Sequence, residues 1–128
     1  MHSMTERFTE ALHRLDADRD TGPLVELAGD DTVLVKLDER KEARGRDGAQ
    51  RFWEDYRNVF DDIETTFTHT TVGEGSAALE WTSTGTLSAG RPITYNGVTV
   101  IEGDDDGLTG VRTYYDSAAF LQETAGTA

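Results

Sequence analysis

The sequence predicts an α+β fold: a strongly curved, mainly antiparallel sheet wrapped as a cone around three N-terminal helices. Two observations lead there. Residues 77–121 hold three long alternating segments, two turns and a short helix, and strands this long joined without a crossover must pair antiparallel and curve. Residues up to about 62 instead space their apolar side chains as helices do, with one β-branched run between them. Helices first and sheet second suggests a helix-lined cone with a pocket at its open end. A chain of 128 residues is one domain by length, taken as residues 1–128.

The first helix spans residues 3–19. Ser3 and Glu6 have capping-box spacing, and Phe8, Ala11, Leu12 and Leu15 recur at helical intervals. Thr21-Gly22-Pro23 breaks the chain and restarts it as a short helix ending near Gly29, with Pro23 at its first position. Residues 32–36 are a β-branched strand, and residues 38–46 are polar and read as a loop. The third helix, residues 47–60, aligns Ala49, Phe52, Trp53, Tyr56, Val59 and Phe60 on one face and Arg51, Glu54, Asp55 and Arg57 on the other. Strands follow at 63–71, 77–87, 93–101 and 108–115, separated by Gly73-Glu74-Gly75, by residues 88–92 and by Asp104-Asp105-Asp106-Gly107. Asp116 then caps a C-terminal helix at the N–H groups of residues 117–119.

Composition narrows the partners. Twenty-five acids face ten arginines and two lysines, for a net charge of −13. Such a field repels nucleic acid and anionic membrane surfaces, so neither is expected as a partner. It fits a halophile's salt-screened cytoplasm, and the arginine-over-lysine bias fits a GC-rich genome equally well. No apolar run reaches the roughly 20 residues of a membrane span, and the first twenty residues are too charged for a signal peptide. With no cysteine, a cytoplasmic location is expected. The three histidines lack ligand spacing, and no phosphate loop, nucleophile elbow or dinucleotide fingerprint is present, so neither metal nor cofactor is expected. Asp104–Asp106 lacks the spread ligands of a calcium loop and reads as a charged hairpin turn.

Residues 45–52 opening the third helix, Leu79-Glu80-Trp81 followed by Gly85-Thr86, and Asp106-Gly107-Leu108 leading to residues 112–116 together resemble the nuclear transport factor 2-like superfamily. That superfamily includes SnoaL-like polyketide cyclases, ketosteroid isomerases and limonene epoxide hydrolases. The resemblance covers nearly the whole chain and implies a pocket inside the cone. Strand alternation then turns Tyr95, Thr99, Ile101, Val111, Thr113 and Tyr115 inward, with Leu79, Trp81, Ser83, Phe67 and His69. Glu80, Thr82 and Thr84 point to the outer sheet face, through which the resemblance implies a homodimer. Similarity to the ketosteroid isomerases over residues 28–52 and 90–101 puts their base at Val35, their aspartate at Thr99 and their helix tyrosine near Ala11, so those catalytic groups are lost. The last-strand aspartate of the epoxide hydrolases corresponds to Thr113.

The expected pocket lining is therefore Val35, Trp53, Tyr56, Phe67, His69, Trp81, Tyr95, Thr99, Val111, Thr113 and Tyr115. Its aromatic and threonine-rich character points to a small hydrophobic molecule bearing one or two polar groups. Alternatively, His69, with an ordinary pKa of about 6.5, serves as acid/base in a cofactor-free isomerase, cyclase or hydratase, assisted by Tyr95 or Tyr115. Asp38 serves only if its loop folds back. A third reading is a protein-interaction module using the outer sheet face, where Arg112 pairs with an acid such as Glu80.

Overall fold

The computed structural model describes residues 1–36 and 42–121. The elements are α1 (His2–Asp18), α2 (Gly22–Glu26), β1 (Ala28–Lys36), β2 (Ala43–Arg44), α3 (Gly45–Asn58), β3 (Phe60–Val72), β4 (Ser76–Leu87), β5 (Pro92–Asp104), β6 (Gly107–Tyr115) and a closing 3₁₀ turn (Ser117–Leu121). The strands form one open sheet in the order β2-β1-β6-β5-β4-β3. β3 to β6 are an antiparallel meander, whereas β1 lies parallel to β6. No helix among the described residues is long and apolar enough to cross a membrane.

Helix α1 buries Met4, Phe8, Ala11, Leu12 and Leu15 as its periodicity requires. Its N-terminus differs from the capping-box expectation: the helix begins at His2, and no side chain of its own first turn caps it. Asp105, in the turn between β5 and β6, accepts the hydrogen bond of the Met4 N–H at 3.0 Å instead, and Arg7 donates to the Asp105 carbonyl. That backbone bond holds the Asp105 carboxyl below the usual carboxylate range. Within the turn, Asp104 Oδ1 accepts from the N–H groups of Asp106 (2.8 Å) and Gly107 (3.2 Å). The acidic turn is thus also a helix cap reaching across the chain. At the other end of the sheet, Asp116 Oδ1 accepts from the Ala118 N–H at 3.1 Å and starts the 3₁₀ turn.

Two apolar clusters fill the cone. The larger unites Met4, Phe8 and Leu15 of α1, Ala49, Phe52 and Trp53 of α3, and Leu34, Leu79, Ile101 and Val111 of the sheet. The smaller gathers Phe60, Ile63, Trp81, Ile93, Tyr95 and Ala119, with Tyr115 and Phe120 packed against it. Tyr56 and Phe67 touch both.

Arg57 does not lie on the polar face of α3. It is four residues beyond Trp53, on the buried stripe, and only 5% exposed. Its guanidinium donates to the carbonyls of Leu15, Asp16, Phe60 and Asp61 at 2.9–3.4 Å. A cation here binds carbonyls at the C-terminal end of α1 and complements its dipole. Arg19 donates to the Phe60 and Asp61 carbonyls from the other side. On the outer sheet face Arg112 pairs with Glu102, a diagonal neighbour on β5, and not with Glu80.

Candidate functional site

A cavity of about 450 Å³ lies between the two clusters, within the roughly 300–1,000 Å³ range of small-molecule sites. Helices supply Phe8, Leu12, Phe52, Trp53 and Tyr56, the sheet supplies Thr65, Trp81, Ser83, Tyr95, Thr99, Thr113 and Tyr115, and Val59, Phe60, Ser117, Phe120 and Leu121 complete the wall. The aromatic rings stand edge to face: Trp81 meets Tyr95 at 5.2 Å, and Tyr95 meets Tyr115 at 5.9 Å and Phe120 at 5.0 Å. Burial keeps the Tyr95 hydroxyl protonated well above its ordinary range.

Two polar rows cross this apolar surface. In the first, the Trp81 indole N–H donates to Thr99 Oγ1 at 2.9 Å, and Thr99 and Thr113 share a hydrogen bond of 3.0 Å. Lys36 is paired with Thr113 by strand register and is the one charged side chain on the lining among the described residues. In the second row, Thr65 and Ser83 bond at 2.7 Å, beside the Tyr56 hydroxyl, which donates to Asp16 Oδ1 at 2.7 Å.

Asp16 is 5% exposed, and its Oδ2 has no hydrogen-bond partner. Burial raises its pKa, against the opposing pull of Tyr56, Thr65, Arg57 and His13. Tyr56 in turn is pushed well up, by burial first and by the neighbouring Asp16 carboxylate second. Because the folded state disfavours the ionised form, the penalty is absent below the ordinary value of 3.8 and grows as pH rises through the higher folded value.

Of the residues expected in the pocket, Trp53, Tyr56, Trp81, Tyr95, Thr99, Thr113 and Tyr115 are brought together on its wall. Val111 is sealed in the larger cluster and Phe67 packs under α1 against His13, with ring centroids 5.5 Å apart. Val35 and His69 are corrections. β1 pairs Val35 with outward-pointing Arg112 and Lys36 with Thr113, so the inward residues are Thr32, Leu34 and Lys36. In β3 a bulge between Phe67 and His69 pairs Phe67 with Trp81 but His69 with Glu80, which turns the histidine to the exposed outer face. Asp38 lies outside the described residues. No group of three or more potential metal ligands occurs among the described residues.

Sequence reasoning missed Asp16 and Lys36. Asp16 follows Phe8 and Leu12 at intervals of four, which placed an acid on the buried stripe. Lys36 shares a face with Thr32 and Leu34 by alternation, but nothing in the sequence marks that face as the inner one.

An NTF2-like protein from Anabaena variabilis superimposes with a TM-score of 0.83 at 15% identity, covering 92% of this chain and 90% of that one. An LEH-like epoxide hydrolase from M. tuberculosis gives 0.73 at 16% identity, covering 94% and 88%. TerC, crystallised with polyporic acid, gives 0.77 at 17%, covering 94% and 96%. At such identities these likenesses establish the fold and no activity. No curated protein matches the sequence. Residues 5–111 match the family described as SnoaL-like domain, and the chain belongs to that family.

Proposed function

We propose that the cone pocket binds a hydrophobic, ring-bearing small molecule carrying one or two polar groups. The observation that supports this is a cavity of about 450 Å³ left open between two well-packed clusters, walled by aromatic edges and crossed by the Trp81–Thr99–Thr113 row. Ring faces supply apolar area at low entropic cost, and the hydroxyl row fixes orientation. Lys36 at the end of that row favours an oxygen bearing negative charge. The co-crystal of TerC with polyporic acid, on the same fold, is consistent with a ligand of this type. The acid/base role expected of His69 has no support, because that side chain is on the other side of the sheet.

Polyporic acid is a suitable first probe. Calorimetric titration is expected to give saturable one-to-one binding, and Thr113→Trp, which fills the cavity, is expected to weaken it about tenfold or more, a difference of roughly 1.4 kcal/mol. Equal binding by the filled variant would sink the proposal.

Pairing of two chains through the outer sheet face belongs to the same reading. Val98 and Val100 are half-buried there and Tyr114 is 43% exposed. Sedimentation is expected to give the mass of a dimer, and a single-chain mass at micromolar concentration would refute it.

A further inference from the structure

The pocket reading leaves one buried group without a task. Asp16 sits behind the wall on α1, its Oδ1 accepting the Tyr56 hydroxyl at 2.7 Å and its Oδ2 sealed from solvent with no partner. The Tyr56 ring is part of the wall, and the Thr65–Ser83 pair stands next to it. A phenol oxygen holds one proton and can also accept, so it passes hydrogen-bond polarity from one side to the other.

The direction depends on one proton. An ionised carboxylate only accepts, so the Tyr56 proton is committed to Asp16 and the phenol offers the pocket lone pairs alone. A neutral Asp16 can donate to the Tyr56 oxygen, which frees the phenol proton to turn toward the pocket. A separation of 2.7 Å suits an O–H···O bond running either way. The proton that makes the difference comes from solvent, and no other bond is made or broken.

We propose that Asp16 and Tyr56 form a protonation-dependent selector. With Asp16 neutral the pocket takes a ligand whose polar end is a hydrogen-bond acceptor, such as a ketone, quinone or ester carbonyl. With Asp16 ionised it takes one that presents a hydroxyl donor. The inference rests on the pocket reading above and gives it a ligand chemistry. Around Asp16 the titratable and charged groups are His13 on its own helix, Tyr56 and Arg57 on α3, and Tyr95 across the pocket on β5. Burial opposes the charge while Arg57 and His13 favour it, which leaves the carboxyl responsive to a further partner. By reciprocity, an acceptor ligand tightens Asp16's hold on its proton.

The test compares two rigid bicyclic probes by calorimetry between about pH 4 and pH 8. One is 2-acetonaphthone, which only accepts, and the other is 2-naphthol, which donates. The ketone is expected to bind about three- to tenfold more weakly at the high end, the worth of one hydrogen bond, while the naphthol holds or gains. Asp16→Asn is expected to flatten both profiles, and Tyr56→Phe to remove the discrimination while binding persists. Parallel profiles for the two probes would overturn the selector and leave the pocket standing. Absence of binding by both would overturn the pocket reading and the selector together. A slope that survives in Asp16→Asn would assign the effect to another group and also overturn it. Should that variant fail to fold, the carbon-13 shift of the Asp16 carboxyl in the wild-type chain decides. It must titrate at higher pH with the ketone bound, and an unmoved titration refutes the proposal.

Discussion

Arg57→Met is expected to cost the fold about 2–4 kcal/mol, a large part of the stability of a domain this size. Methionine keeps most of the side-chain volume but gives up all four carbonyl contacts at the junction of α1, α3 and β3. Arg19 still serves Phe60 and Asp61, and the Leu15 carbonyl keeps the Arg19 N–H at 3.0 Å, which is why the loss stays below the sum of four charge-assisted bonds. The Asp16 carboxyl also loses a favourable cation. The substitution should therefore be more harmful at neutral pH than in acid, because burial raises the Asp16 pKa and acid returns the carboxyl to its neutral form. Urea unfolding at the two pH values measures this. A loss under about 0.5 kcal/mol, the range of ordinary surface substitutions, would show that Arg57 is not structural.

Gly97→Ala is expected to have a comparable effect on stability, about 2–4 kcal/mol, and to spoil the pocket as well. Gly97 is the inward residue of β5 between Tyr95 and Thr99, and the Trp81 indole lies over it. An added methyl would sit 2.4 Å from Trp81 Cζ2 and 2.5 Å from the Tyr114 carbonyl oxygen. The indole can swing away only by giving up its bond to Thr99, and the Tyr114 backbone cannot yield without shifting β6. Thermal unfolding together with the Trp emission spectrum tests this, since a displaced Trp81 is more exposed and emits further to the red. An unchanged melting temperature and spectrum would contradict the close packing at this position.

How much of this was legible before the fold was seen depended on how far a period could be extended. The meander from β3 to β6 follows from alternation and turn residues. The inner face of β4 (Ala77, Leu79, Trp81, Ser83) follows from the same rule. Legibility ended where the register slips: one extra residue near Thr68 was enough to send His69 to the opposite face. On β1 a short strand with Val33, Leu34 and Val35 in a row gave no polar marker of which face is inside. Only its pairing with β6 showed that Lys36 enters the pocket. Asp16 and Arg57 were obscured for a different reason. A charged residue on a helix reads as solvent-facing by type even when its position says buried. Here the position prevailed because each charge found partners on a neighbouring element: Tyr56 for Asp16, the carbonyls at the end of α1 for Arg57.

The parallel pairing of β1 with β6 has a consequence for how the molecule comes into being. β3 to β6 are hairpin neighbours and can pair as soon as each strand exists. β1, however, has its long partner in β6, with Leu34 beside Val111 and Lys36 beside Thr113. The cap of α1 likewise arrives from Asp105, 101 positions along the chain from Met4. β1 and the start of α1 are therefore made before the partners that complete them and wait until β6 and the turn preceding it have been synthesised. Contacts of such long sequence separation make the final closure a slow, late step.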